Sequence, residues 1–149
     1  MSTGNEKTPL IALVERVDRA LVADLVGSAA ERGFPEVRLS HNAVFATLRP
    51  EGSRVSDMAA RAGITKQSLA AIVKDLEAAG MVTVSPDPTD GRAKVVQYTE
   101  RGRECAHAGA AYLREVEEDL ASRIGRDRLD DLRELLDQVA VHFETRLAE

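Results

Sequence analysis

The sequence has no tryptophan, a single cysteine and only 3% aromatic residues. One cysteine cannot close an internal disulfide, so the fold must stand on packing alone. So few aromatics speak against stacking platforms for single-stranded nucleic acid and against aromatic cages. No run of 18 apolar residues occurs, so no membrane-spanning helix is expected. The opening stretch, Met1 to Pro9, is polar and lacks the basic and apolar regions of a signal peptide. A cytoplasmic chain is the simplest expectation. Enzyme motifs are missing too. No two glycines are two apart, which removes the dinucleotide fingerprint, and no Gly-x-x-x-x-Gly-Lys, His-Glu-x-x-His or Gly-x-Ser-x-Gly occurs. His41, His107 and His142 are far apart, and no pair has metal-ligand spacing on one helix. The expectation is a protein that is not an enzyme, with no catalytic residues, metal or cofactor.

What is present suits one compact domain, or a small one with dimerising helices attached. Of 149 residues 44% are apolar and 30% charged, and the net charge of -5 is too small for disorder. The charge is uneven. Residues 49 to 103 hold nine Lys/Arg against seven acids, which leaves -7 for the rest of the chain. A mildly basic middle between acidic arms fits a central module facing an anion, although ordinary solvated faces give the same count.

Thr8 and Pro9 read as an N-cap and first helical residue, and Leu10, Leu13, Val14, Val17, Leu21, Leu25 and Val26 recur at helical steps. Gly33 and Pro35 are expected to end this helix. A short second helix follows Ser40, with Val44, Phe45 and Leu48 as its apolar face. Arg54-Val55 then reads as a short strand. Ser56 is expected to cap a helix over Asp57 to Ala62, Gly63 to make a tight turn, and Thr65 to cap the next helix. Ile64 and Leu69 have the spacing of a hydrophobic staple, and Leu69, Ile72, Val73 and Leu76 form a buried stripe that ends at Gly80. Two helices joined by a short turn containing glycine make a helix-turn-helix.

The period then becomes two. Val82 and Val84 alternate with Thr83 and Ser85, Pro86 to Gly91 is a turn cluster, and Lys94 to Tyr98 is a second strand. This hairpin behind the helix-turn-helix is a wing. Thr99 caps a helix of about 24 residues, roughly 36 Å long. Gly125 breaks it, and Leu129, Leu132, Leu136, Val139, Phe143 and Leu147 stripe a sixth helix. Long stripes on both arms exceed what a small winged module can cover, so a homodimer is expected.

Three motifs carry a resemblance. They are Leu76-Glu77-Ala78-Ala79-Gly80-Met81-Val82, the wing Asp87-Pro88-Thr89-Asp90-Gly91-Arg92-Ala93-Lys94, and Tyr98-Thr99-Glu100-Arg101-Gly102. In these the chain resembles the MarR (multiple antibiotic resistance regulator) family of winged helix-turn-helix transcription factors. The resemblance implies a mainly α (α+β) fold and one domain over residues 1–149. Within it, 53–99 would be the DNA-binding lobe, and 8–33 and 100–149 the dimerisation helices. It further implies a homodimer on double-stranded DNA, a ligand-responsive repressor of a pseudo-palindromic operator. The chain departs from the family at Gly91, at Ala70-Ala71 and at Tyr98, where Arg or Lys, Arg, and Leu are usual.

Lys66, Gln67, Ser68 and Lys74 lie off the apolar stripe of the fourth helix. The first three sit at its N-terminus, the part that reaches base edges in a major groove. By resemblance Arg92 is the wing arginine of the minor groove, with Asp90 holding it in place. Arg54, Lys94, Ser56 and Thr65 are candidate phosphate contacts. Plain solvent-facing roles are the competing reading. The resemblance also implies a small aromatic or phenolic effector, and Arg16, His41, Phe45, Arg49 and Tyr112 are candidates to line its site. Cys105 reads as a small apolar packing residue, because the family's peroxide sensors carry theirs in the first helix, where this chain has none. A winged-helix protein–protein interaction module without specific DNA binding is the alternative, favoured by the two helix alanines and the acidic pI.

Overall fold

The structure is a computed structural model that describes residues 7–148, so most of the polar opening stretch and the last residue lie outside it. Six α-helices and three short strands follow in the order α1 (Leu10–Gly27), α2 (Asn42–Phe45), β1 (Ser53–Arg54), α3 (Val55–Ala62), α4 (Lys66–Ala78), β2 (Val82–Pro86), β3 (Lys94–Tyr98), α5 (Glu100–Ile124) and α6 (Arg126–Ala148). A 3-10 turn, Leu39–His41, leads into α2. The described chain forms two compact units that divide after Gly109. No described helix is long and apolar enough to cross a membrane.

The first unit holds the core. Val44, Leu48, Met58, Leu69, Val73, Leu76, Met81, Val82, Val96 and Cys105 are all buried there. The three strands form one antiparallel sheet in the order β1-β3-β2, with Val84 opposite Val96 and Ser53 also opposite Val96 on the other side. Val82 and Val96 face inward while Thr83 and Gln97 face out, as a half-buried hairpin requires. Between α3 and α4, Gly63 takes φ +66, and the Ile64 amide donates to the Ala59 carbonyl. That left-handed residue closes α3 and turns the chain within three residues.

Helix ends set by local chemistry fall where the sequence puts them. The Thr65 hydroxyl accepts from the Ser68 amide at 3.0 Å, and that of Thr99 from the Gly102 amide at 3.1 Å. Three ends differ. The cap of α1 is Pro9, with no side-chain hydrogen bond, rather than Thr8. The same helix stops at Gly27 and not near Gly33, because the Ser28 hydroxyl turns back onto the Leu25 carbonyl and the chain dips to bury Ala29 and Phe34. Ser56 does not cap α3. The helix starts at Val55, whose buried side chain anchors it, and Arg54 is the capping position, whose side chain makes no capping hydrogen bond.

In the second unit, the end of α5 and α6 meet across Gly125. Glu118 pairs with Arg126 at 2.5 Å and Glu117 with Arg133 at 3.0 Å. These exposed pairs contribute little. Of the α6 stripe only Leu129 is buried, whereas Leu132, Leu136, Val139 and Phe143 are 37–50% exposed. Helix α1 likewise has no buried residue, and Leu10, Ile11, Val14 and Val17 lie open.

Candidate nucleic-acid interface

Leu69, Val73 and Leu76 turn one face of α4 into the core. That fixes what the other face shows: Lys66, Gln67, Ser68, Ala70, Ala71 and Lys74 are all exposed. The first three occupy the first turn, where the amides of the helix lack helical partners. The Thr65 hydroxyl takes one of those amides and donates 2.8 Å to the Ser68 hydroxyl, so two of the candidate contacts also build the cap.

The wing is organised by Asp87. Its carboxylate accepts from the Thr89 amide at 2.8 Å, from the Thr89 hydroxyl at 2.8 Å and from Arg54 Nε at 2.6 Å. The two bonds from Thr89, then the nearby Arg54 guanidinium, pull its pKa down to about 2. Arg54 is therefore tethered to the wing base, with its side chain 40% exposed. At the tip, Asp90 accepts from the backbone amide of Arg92 at 3.1 Å. It shapes the turn that presents Arg92, and no ion pair joins the two side chains among the described residues. Arg92 and Lys94 are exposed, as is Ser56 on α3.

The effector candidates have different surroundings. His41 is buried: its Nδ1 accepts from the Arg38 amide at 3.1 Å, and its Nε2 lies 2.8 Å from Asp75 Oδ2. Phe45 stacks on Tyr98 with centroids 6.1 Å apart, and burial pushes the Tyr98 hydroxyl up to about 12. Arg49 lines a polar cleft of about 220 Å³ beside Arg54, Asp57 and Arg61. Arg16 is exposed on α1, and Tyr112 belongs to the second unit. A larger crevice of about 800 Å³ opens elsewhere in the first unit. Val22, Leu39, Ala43, Ile64 and Ile72 supply its apolar wall, and Arg19, Asn42 and Arg61 its polar groups. None of the five candidates lines it.

Sequence reasoning missed several ties that hold this unit together. Asp75 is held below the usual carboxylate range, first by the hydrogen bond from His41 and then by the charge of Arg38. Arg61 donates to the Thr47 carbonyl at 2.7 Å. Arg101 bonds Glu36 through Nε at 2.8 Å and lies 5.1 Å over the Phe34 ring. Each joins residues far apart in the chain, and no short-range pattern announces them. Burial pushes the Cys105 thiol up, which suits a packing role. Among the described residues no cluster of His, Cys, Asp or Glu could hold a metal ion.

Helix-turn-helix, wing and strand order together invite comparison. Residues 38–93 match a family model described as MarR family. The matching family is MarR. No curated protein matches the chain. Solved MarR-like structures extend the likeness of fold beyond the matched segment. A transcriptional repressor, CouR, bound to a 23-mer DNA duplex is 24% identical, with TM-score 0.73 over 94% of this chain and 98% of that one. The PcaV regulator of Streptomyces coelicolor, solved with its natural ligand, is 21% identical, with TM-score 0.68 over 94% and 97%. A MarR family protein of Mycobacterium tuberculosis solved with salicylic acid is 22% identical, with TM-score 0.66 over 90% and 98%. At these identities the likeness establishes the MarR-like fold and leaves each side chain to be argued from its own surroundings.

Proposed function

We propose that the chain is a homodimeric, DNA-binding transcriptional regulator of the cytoplasm, and a repressor that responds to a small molecule. The observation that carries this is the first turn of α4. It is held from behind by Leu69, Val73 and Leu76 and offers Lys66, Gln67 and Ser68 outward. In this reading the turn enters a major groove, where Gln67 meets adenine and Lys66 meets guanine. Arg92 follows the adjoining minor groove, and Lys94, Lys74, Arg54, Ser56 and Thr65 meet phosphates. The open apolar faces of α1 and α6 support a second copy as partner. A two-fold dimer would read half-sites whose centres are about 10 base pairs apart.

The crevice of the first unit is a second place for an effector, beside the candidates Arg16, His41, Phe45, Arg49 and Tyr112. An apolar acid would lie on Val22, Leu39 and Ile72 with its charge toward Arg19. It would shift DNA affinity by its preference between two arrangements of the reading heads.

Selection of bound duplexes from a random pool tests the reading. Enrichment of one two-fold sequence supports it. Failure to enrich any sequence at low salt overturns it in favour of a winged module that binds protein.

A further inference from the structure

Helix α4 is held in two different ways. Leu69, Val73 and Leu76 press it into the core, and such contacts are strong but non-directional. On its third turn Asp75 meets His41, a residue 34 positions earlier that is only 1% exposed. The Asp75–His41 contact is 2.8 Å and directional. Moreover, the ring is set in one tautomer. Nδ1 accepts the Arg38 amide, so it carries no proton, and Nε2 must be the nitrogen that donates to Asp75. Arg38 also stands 3.5 Å from the same carboxylate oxygen.

We infer that His41 is a positioning residue that sets the roll of α4 about its axis, and with it the sequence discrimination of the first turn. The inference rests on the DNA-binding reading above. Gln67 is eight residues from Asp75, about 12 Å along one rigid helix, so a tie at the far end sets the direction of both. Side chains on either side of His41 extend its reach. Leu39, Ser40 and Asn42 line the crevice, as does Ile72 one turn before Asp75. The tie thus joins a wall of that crevice to the helix that faces DNA.

Four single variants in the full chain test this, each titrated against the selected duplex and a scrambled one. His41→Asn keeps an acceptor for the Arg38 amide and loses the reach to Asp75. His41→Gln keeps a donor at the Nε2 distance. Asp75→Ala and Asp75→Asn remove the same charge, but only asparagine keeps an acceptor. His41→Asn and Asp75→Ala should lower the ratio of the two affinities about tenfold, with the scrambled affinity of each matching that of its conservative counterpart. His41→Gln and Asp75→Asn should restore most of the ratio. Should His41→Asn fail to fold, the half-exposed Asp75 pair decides alone. Equal ratios for Asp75→Ala and Asp75→Asn, or no loss in Asp75→Ala, overturn the inference while the wild type still discriminates. A wild type that does not discriminate overturns the DNA-binding reading, and this inference with it.

Discussion

Gly102 lies against the backbone of Met81. A Cβ at position 102 would sit 2.9 Å from the Met81 carbonyl carbon, closer still to its oxygen, and 3.1 Å from Tyr98 Cδ1. The same carbonyl accepts the Thr99 amide at 3.0 Å, and the Thr99 hydroxyl donates to Gly80. The spacing Thr99-x-x-Gly102 thus caps α5 and lets it touch the start of the wing.

Gly102→Ala should therefore cost about 3 kcal/mol, since backbone rather than a flexible side chain obstructs the methyl group. Urea titration measures this. A midpoint equal to wild type would show that α5 can slide away from Met81 freely.

The wing should loosen in acid. Asp87 titrates at about 2 in the fold against an ordinary 3.8. Its lowered pKa means that the stabilisation is complete above pH about 4 and is lost as the pH falls through about 2. Melting temperature should fall across that window more steeply in wild type than in Asp87→Asn. Parallel curves would mean that the Thr89 and Arg54 bonds add nothing.

Assembly should depend on α6. Leu136 and Phe143 are 41% and 50% exposed, and a carboxylate on each would oppose burial against a second copy. Leu136→Asp with Phe143→Asp should yield monomers by light scattering and abolish tight DNA binding. A double variant that stays dimeric and binds normally refutes the assignment.

Oxidation should leave DNA binding alone. Cys105 is 6% exposed, and burial pushes its pKa up, so little of the reactive thiolate forms. Cys105→Ser and wild type should keep equal affinities with and without peroxide. A peroxide-induced loss confined to the wild type would reassign the residue.

Base reading and charge should separate. Gln67→Ala should relax preference at one base pair of each half-site by about 1–3 kcal/mol with little change in salt dependence. Arg92→Ala should weaken many sequences alike, and flatten the slope of log affinity against log salt by about 0.9 per phosphate charge no longer neutralised. If Arg92→Ala changes neither affinity nor slope, the wing does not touch DNA.

Features written within a few residues were legible in the sequence alone. The Thr65 and Thr99 caps, the Gly63 turn and the alternation around Val82 and Val84 need only the next turn or the facing strand to act. The outward set of α4 was legible for the same reason, because a stripe of Leu69, Val73 and Leu76 leaves the other face for solvent.

Tertiary structure decided the rest. Three helix ends moved once the core was in place: α1 turns off at Gly27 to bury Ala29 and Phe34, its cap is Pro9, and α3 begins at Val55 rather than after Ser56. His41 to Asp75 and Arg54 to Asp87 span 34 and 33 residues, so no helical or strand period brings them together. These side chains meet only because the apolar stripes pack first, and packing is non-directional. The sequence alone therefore determines which faces are apolar and where local hydrogen bonds start and stop the helices. Which distant polar groups end up within hydrogen-bond distance depends on how those faces meet.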